Sequence, residues 1–345
     1  MVRITAYVFA FFIIVGSALI ILTPDTNKIS APEYKSNDKI TLLWDKNMLY
    51  TPGCAEYANV ISTPLYALEN NDGNICMKEL HDTEKYLSSV DKPVWGMYTN
   101  GFNPDNTRTI ITDPEKRAEI TDFISETAVN HKLSGVNIDF ENMYSDDSGY
   151  FTVFIKELSE KLSPNNITLS VDVTKINKGS MFYSMCYNRS ELSKYADYII
   201  LMAYDQFPRT SDVAGPVSSI PWTEDAVKGL LSEVEADKLL LGIPFYTRNW
   251  SEQDGIVQSC PAISMTESSE LISKFSPVVY NDSETGLDYF QYETDGKTNK
   301  VWQENVTSLE KRCEIADRYN LAGIACWSLG FESDEAKQFL DSRNK

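Results

Sequence analysis

Polar and apolar residues alternate in the segment GVNIDFEN, residues 135–142. Asn137, Asp139 and Glu141 occupy every second position, with Val, Ile and Phe between them. A period of two predicts a strand with one apolar face and one polar face. Burying two carboxylates on such a face costs several kcal/mol unless the acids are paired or take part in a reaction. The two acids are therefore candidates for proton transfer and for stabilising a positive charge.

Other apolar runs also end in aromatic and polar residues. Tyr204 and Asp205 end the run MAYD, and four more candidates stand in or after runs of the same kind: Tyr66, Tyr98, Asn100 and Trp327. Aromatic rings stack on the apolar face of a sugar, while acids and amides bind its oxygens. This combination favours a sugar ligand. The tryptophans at 44, 95, 222, 250 and 302 stay unassigned, because a single aromatic residue belongs to a core more often than to a binding surface.

Composition excludes several other kinds of chemistry. The 345 residues carry a formal net charge of −19 and contain no basic run, which argues against nucleic acid as a partner. No glycine-rich phosphate loop is present. Two histidines, His81 and His131, argue against a histidine-rich metal site and a Ser-His-Asp triad. We expect neither a metal nor a cofactor. The six cysteines form no CxxC pair, and Cys326 is predicted to be a buried free thiol.

Strand-like and helix-like segments alternate along most of the chain. Eight segments read as strands: Lys39–Trp44, Ala58–Leu68, Pro93–Asn100, Gly135–Glu141, Ile167–Thr174, Asp197–Asp205, Lys238–Tyr246 and Leu321–Gly330. Five amphipathic stretches read as helices: Pro114–Lys132, Tyr150–Leu162, Thr223–Glu235, Ser308–Tyr319 and Asp334–Ser342. This order predicts an α/β fold, a (β/α)8 TIM barrel over residues 39–345. A doubly wound open sheet is the second choice.

The predicted barrel gives the acidic segment a functional position. Inward and outward residues alternate along barrel strands, so Asn137, Asp139 and Glu141 are expected to point inward. Glu141 ends its strand, and barrel enzymes carry their active sites at the carboxyl ends of strands. A segment of about residues 251–306 lies between predicted strands 7 and 8, and in it aromatic and polar residues alternate around turns that contain glycine. They predict a small α+β insertion that forms one wall of a groove.

An apolar segment precedes the predicted barrel. Ile4–Leu22 holds no charge, follows Arg3 and is just long enough to span a bilayer. Residues 1–22 are therefore read as a membrane anchor or a cleaved signal peptide. Thr23–Asp38 reads as a flexible linker. Both alternatives place the rest of the chain on the extracellular face.

Four ordered motifs resemble those of glycosyl hydrolase family 18, the chitinase family. SGVNIDFE is similar to the family signature DxxDxDxE, and LMAYDQ, GIPFYTRNW and ACWSLG resemble its sixth, seventh and eighth strand motifs. The segment VAGPVSSIPW resembles the branch of spore-forming bacteria that includes cortex-lytic and cell-wall N-acetylglucosaminidases. Two signature positions differ: the first Asp is Ser134 and the second is Asn137. That branch commonly carries Asn at the second position.

The resemblance implies a role for each matching residue. It gives Glu141 the general acid/base role, Asp139 the stabilisation of the substrate N-acetyl group and Tyr204 a hydrogen bond to that group. It makes Asp205 a sugar-binding acid and Trp327 the floor under the reacting sugar. Six further residues are expected to bind substrate: Asn137, Tyr66, Tyr98, Asn100, Tyr246 and Arg248. Asn137 is also expected to donate a hydrogen bond to Asp139.

The implied mechanism uses the substrate as nucleophile. Asp139 lies on the same strand as Glu141, about 7 Å along it, and is poorly placed to attack from the opposite face of the sugar. The family is an exception among retaining glycosidases, because the 2-acetamido oxygen of the sugar attacks the anomeric carbon. The favoured activity is hydrolysis of N-acetylglucosamine linkages in peptidoglycan by a membrane-associated or secreted monomer. A chitinase or glycoprotein endoglycosidase, and a non-catalytic glycan-binding protein, remain alternatives.

Overall fold

Eight parallel strands close into a barrel in the computed structural model, which describes residues 39–71 and 74–343. The predicted anchor or signal segment Ile4–Leu22 and the predicted linker Thr23–Asp38 lie outside the described residues. Within the described ranges, no helix combines the length and the apolar character that crossing a bilayer requires.

The secondary structure follows the predicted alternation. The strands are β1 Ile40–Trp44, β2 Val60–Asn71, β3 Asn74–Glu79, β4 Val94–Thr99, β5 Gly135–Asp139, β6 Thr168–Thr174, β7 Tyr198–Met202, β8 Leu239–Pro244, β9 Tyr246–Arg248, β10 Trp250–Gln253, β11 Ile256–Ser259, β12 Ala262–Ser264, β13 Tyr280–Asp282, β14 Leu287–Thr294, β15 Lys297–Gln303 and β16 Gly323–Trp327. The helices are α1 Thr83–Leu87, α2 Pro104–Thr112, α3 Pro114–Asn130, α4 Ser148–Leu162, α5 Arg189–Leu192, α6 Ile220–Leu230, α7 Met265–Phe275, α8 Val306–Arg318 and α9 Asp334–Arg343.

The barrel strands are β1, β2, β4, β5, β6, β7, β8 and β16. Each pairs in parallel with the next, and β1 pairs with both β16 and β2, which closes the sheet. An open doubly wound sheet would leave two edge strands, so closure confirms the barrel prediction. The added strand β3 pairs antiparallel with β2 outside the barrel.

Alternating residues of β5 separate two cores. Val136 and Ile138 point outward, and with Phe140 beyond the strand they join a large apolar cluster that includes residues of α3 and α4. Phe140, for example, stacks against Phe154 with ring centroids 5.4 Å apart. A smaller cluster fills the barrel interior. Asn137 points into that interior and is fully buried, as the alternation predicts.

Residues between the seventh and eighth barrel strands build an antiparallel sheet. Its strand order is β11-β10-β15-β14-β13, and β9 pairs separately with β12. Helix α7 covers a small apolar core around Phe290. Trp250 is fully buried, and its indole Nε1 donates a 2.7 Å hydrogen bond to the Gly215 carbonyl in the loop between β7 and α6.

A buried ion pair fixes the exit of this insertion. Arg312 of α8 donates two hydrogen bonds, of 2.6 and 2.8 Å, to the carboxylate of Glu304, and both side chains are inaccessible to solvent. Arg312 also donates to the carbonyl of Ser218, near the start of α6. The ion pair therefore connects the end of β15 with α8 and with the loop between β7 and α6.

The cysteines are all free thiols. Cys326 of β16 is fully buried, as predicted from its apolar strand.

Candidate active site

A cavity of about 1010 Å³ opens at the carboxyl ends of the barrel strands. Its position agrees with the general location of active sites in such barrels. Six of the residues selected from the sequence line it: Asp139, Glu141, Tyr204, Asp205, Tyr246 and Trp327. They come from four different strands or the loops that follow them, and only the fold brings them together.

Glu141 is held by its backbone. Glu141 lies two residues beyond the end of β5. Asn100 directly follows the neighbouring strand β4 and contacts the backbone of Glu141. The Asn100 amide donates a 2.6 Å hydrogen bond to the Glu141 carbonyl and accepts a 3.1 Å bond from the Glu141 N–H. Asn100 is 1% exposed and does not line the cavity. Its assignment as a substrate-binding residue is therefore corrected: it positions the backbone of Glu141.

Burial raises the pKa values of the two acids, Asp139 and Glu141. Desolvation, with the negative charges of Asp139 and Asp205, raises the pKa of Glu141 well above its ordinary value. Desolvation raises the pKa of Asp139 to about 7. With its pKa raised, Glu141 keeps its proton to a higher pH than an exposed glutamate does, as a proton donor requires.

Asp139 has an unsatisfied oxygen. Its Oδ1 is buried and has no hydrogen-bond partner among the described residues. A buried polar atom without a partner costs about 1–3 kcal/mol, which makes such atoms unusual outside functional sites. Asp139 itself lines the cavity, so the unpartnered oxygen belongs to a residue of the candidate site.

Asn137 makes different contacts from those expected. Its Nδ2 donates a 2.8 Å bond to Asp172 Oδ1 on β6, and its Oδ1 accepts bonds from Trp44 Nε1 and Ser62 Oγ. The expected bond from Asn137 to Asp139 is wrong. Side chains two residues apart on a strand are about 7 Å apart, whereas neighbouring strands are only about 4.8 Å apart. Asn137 lies below the cavity and does not line it.

Asp205 sits at the rim between two donors. Its Oδ1 accepts a 2.6 Å bond from the Tyr246 hydroxyl and a 2.8 Å bond from Arg248 Nη2. Asp205 has a backbone φ of 57°, a left-handed conformation that Asp and Asn tolerate better than most residues. Tyr246 lines the cavity, whereas Arg248 stands behind Asp205 and contacts it from outside the cavity lining.

Aromatic rings form the floor of the cavity. Trp327 stacks on Tyr204 with centroids 6.2 Å apart, and Trp44 meets Trp327 edge-on at 5.5 Å. Trp327 is partly exposed, whereas Trp44 is fully buried. Burial, together with the charges of Asp172 and Asp139, raises the pKa of the Tyr204 phenol well above its ordinary value. Tyr204 therefore remains a hydrogen-bond donor at neutral pH.

Tyr66 and Tyr98 lie outside this cavity. Their rings stack on each other at 5.6 Å, and Tyr66 meets Phe123 of α3 edge-on at 5.1 Å. Both tyrosines belong to the apolar layer between the barrel and the helices. Their assignment as sugar-binding residues is therefore corrected. In β2 the cause is an irregularity between Pro64 and Tyr66, which shifts the register and turns Tyr66 outward.

Other cavity residues were not selected from the sequence. Asp172 is 1% exposed and lines the cavity from β6. The alternation in TLSVDVT, residues 168–174, is the signal that could have identified it, because Ser170 and Asp172 share one face. Loops and a helix start supply further lining residues, among them Phe102, Tyr183, Gln206 and Trp222.

Within residues 39–71 and 74–343, no group of three or more His, Cys, Asp or Glu side chains is arranged to hold a metal ion.

Comparisons with known proteins identify similar sequences and structures of the same fold. The curated glycosylase YvbX of Bacillus subtilis, described as uncharacterized, is 26% identical over 81% of this chain and 82% of its own length. Two solved structures share the fold. The spore cortex-lytic enzyme SleL of Bacillus megaterium has a TM-score of 0.77 at 18% identity, over 91% of this chain and 76% of that one. A chitinase from Chromobacterium violaceum has a TM-score of 0.76 at 21% identity, over 89% and 98%.

The sequence profile of glycosyl hydrolases family 18 matches residues 100–332, which include the signature strand, most of the residues that line the cavity, and the insertion. The chain therefore belongs to glycosyl hydrolases family 18 and is a glycosidase.

Proposed function

We propose that this glycosidase cleaves β-linked N-acetylglucosamine in peptidoglycan, with the acetamido group of the substrate acting as nucleophile. The observation that carries the proposal is the arrangement of carboxyl groups in the cavity. A conventional retaining glycosidase needs a free carboxylate about 5–5.5 Å from the acid, across the sugar. Asp205 is paired with Arg248, Asp172 accepts from Asn137, and Asp139 shares its strand with Glu141. The nucleophile is then left to the substrate.

The reaction proceeds in two steps. Glu141 gives its proton to the glycosidic oxygen, the bond from that oxygen to the anomeric carbon breaks, and the acetamido oxygen bonds to the same carbon. Asp139 faces the resulting oxazolinium cation, and its unpartnered Oδ1 accepts from the acetamido N–H. Tyr204 donates to the acetamido oxygen. Glu141, now ionised, takes a proton from water, and the water oxygen bonds to the anomeric carbon while the bond from that carbon to the acetamido oxygen breaks. The two displacements leave the β configuration retained.

The choice of peptidoglycan rests on relatives and on sequence. SleL is named for spore cortex lysis, and VAGPVSSIPW resembles segments of the spore-forming branch. Trp222 of this segment lines the cavity, so the resemblance extends to the site itself.

Parallel digestion tests the substrate. Peptidoglycan, spore cortex and chitin are incubated with the full chain, and mass spectrometry identifies the new reducing ends. We expect fragments that end in reducing N-acetylglucosamine from peptidoglycan or cortex. Release from chitin alone would make the protein a chitinase. Binding without release from any of the three would favour a non-catalytic glycan-binding protein.

A second experiment tests the mechanism separately. Product NMR during the first minutes should show the β anomer, and a glycan whose reacting sugar is de-N-acetylated should not be cleaved. A thiazoline analogue of the oxazolinium should bind much more tightly than the free sugar. Inversion of configuration, or equal cleavage of the de-N-acetylated glycan, would refute substrate assistance.

Export of the chain belongs to the same proposal. It rests on the uncharged run Ile4–Leu22 that follows Arg3. Protease treatment of intact cells that express the full chain should degrade the enzyme while a cytoplasmic marker survives. An enzyme as protected as that marker would contradict export.

A further inference from the structure

A polar network below the cavity fixes the orientation of Asn137. Trp44 Nε1 and Ser62 Oγ both donate to Asn137 Oδ1, at 3.1 and 2.9 Å. Because these two donors must face the carbonyl end of the amide, the NH₂ end faces β6. There it donates to Asp172 Oδ1 at 2.8 Å. Asp172 therefore has one oxygen occupied by Asn137 and the other free to carry a proton.

Asp172 also stands beside Asp139. Strands β5 and β6 pair in parallel with Asn137 opposite Ser170 and Ile138 opposite Val171. The next step of this register places Asp139 opposite Asp172, and both line the same cavity. Neighbouring strands are about 4.8 Å apart. No salt bridge in the described part of the chain involves either acid, so no cation compensates two negative charges there.

Two buried carboxyl groups at this spacing cannot both ionise easily. The groups around Asp172 are Asp139 and Glu141 on its β5 side and Tyr204 after β7. Desolvation, then the charges of Asp139 and Glu141, raise the pKa of Asp172 well above its ordinary value, against the opposing bond from Asn137. Desolvation also raises the pKa of Asp139, to about 7. The two neighbouring carboxyl groups in this cavity are therefore expected to hold one proton between them.

The family signature places its second acid at position 137, and this chain has Asn there. We propose that Asp172 replaces that acid from the neighbouring strand: it shares one proton with Asp139, and its O–H stabilises the Asp139 anion. Asp172 is then a positioning residue that acts through Asp139. The inference rests on the proposed reaction only for its kinetic consequence, because the shared proton is a property of the free enzyme.

Carboxyl titration in the free enzyme tests the shared proton directly. The full chain is labelled with ¹³C at the aspartate carboxyl carbon, and resonances of Asp139 and Asp172 are assigned from their variants. Asp172→Leu keeps a side chain of similar shape and removes the O–H that donates to Asp139. The titration midpoint of the Asp139 carboxyl group should therefore rise by about one pH unit or more. Asp172→Asn keeps a permanent donor and should leave that midpoint near its wild-type position.

A second variant serves if Asp172→Leu does not fold. Asp139→Asn removes the negative neighbour, so the midpoint of Asp172 should fall by about one pH unit or more. Ser170→Ala is the matched control, because Ser170 is a buried inward residue of the same strand two positions earlier. It should move neither midpoint. An unchanged Asp139 midpoint in folded Asp172→Leu, or an unchanged Asp172 midpoint in Asp139→Asn, would overturn the proposal.

Kinetics then test the positioning role. In Asp172→Leu the acidic limb of kcat should move to higher pH, and kcat at pH 7 should fall about tenfold or more with KM changed less than about threefold. Asp172→Asn should keep the acidic limb in place. A loss of kcat that is uniform over pH would indicate a structural role alone and overturn the proposal. If the wild-type chain releases no sugar from any glycan, the proposed function is wrong, while the titrations still decide the shared proton.

Discussion

Asn100 offers a direct test of how the acid is positioned. Its side-chain amide makes four hydrogen bonds. The NH₂ group donates to the Glu141 carbonyl at 2.6 Å and to Thr107 Oγ1 at 2.8 Å. The amide oxygen accepts from the N–H groups of Glu141 and Phe102, at 3.1 and 3.2 Å. Asn100→Ala removes all four and leaves the backbone of Glu141 without these partners. At about 0.5–1.5 kcal/mol net per bond, the four bonds together predict a loss of about 2–6 kcal/mol in unfolding free energy.

The same substitution should affect the reaction. With both backbone bonds gone, Glu141 can shift relative to the bound sugar, and a displacement of about 1 Å can cost on the order of a hundredfold in rate. We therefore expect kcat to fall about ten- to hundredfold with KM changed less than about threefold. Urea unfolding measures the first effect, and steady-state kinetics on the folded variant measure the second.

Thr107→Val provides the matched control. It removes the Thr107 hydroxyl that contacts Asn100 and leaves both bonds between Asn100 and Glu141 in place. This variant should lose stability and retain most of its kcat. If Asn100→Ala keeps the wild-type kcat, or if Thr107→Val loses kcat as strongly, then Asn100 does not position the acid.

Three further predictions concern the cavity. Glu141→Gln should lower turnover about 10²–10⁴-fold while calorimetry shows nearly unchanged sugar binding, because the amide keeps the shape and lacks the proton; near-normal turnover would exclude Glu141 as the acid. Trp327→Ala should weaken binding of the reacting sugar by at least about 1 kcal/mol in calorimetry on the folded variant, and unchanged affinity would leave Trp327 a purely structural residue. Asp139→Asn should abolish most activity yet raise the midpoint of thermal unfolding at pH 8 more than at pH 4. The folded pKa of Asp139, about 7, lies above its unfolded value, so the cost of ionising it grows as the pH rises through this range; equal effects at both pH values would contradict that burial penalty.

Strong periodic signals made the fold predictable from the sequence. All eight predicted barrel strands overlap barrel strands of the structure, because parallel strands buried on both faces leave long apolar runs. The alternation in β5 also gave the correct inward direction for Asn137 and the correct outward direction for Val136 and Ile138. These are local patterns that one segment carries by itself.

Contacts between strands were harder to predict. Tyr66 follows an irregularity in β2 that reverses the inward and outward sides, and sequence periodicity does not reveal such a shift. Tyr98 lies between the inward residues Met97 and Thr99, so it faces the helices. The bond from Asn137 to Asp172 depends on the register between β5 and β6, which neither strand specifies alone.

The buried pair of Glu304 and Arg312 has a consequence for how the insertion behaves during binding. Removing one partner of such a pair costs about 3–5 kcal/mol, because the other charge is left buried and unpaired. Together with Trp250, which donates to Gly215, the pair ties the insertion to the loop between β7 and α6 at both its start and its end. Opening this wall as a lid would break these contacts. We therefore expect the groove to be preorganised, so that the entropy cost of ordering this wall is incurred during folding and not during binding. We also expect the insertion to unfold in one cooperative transition with the barrel.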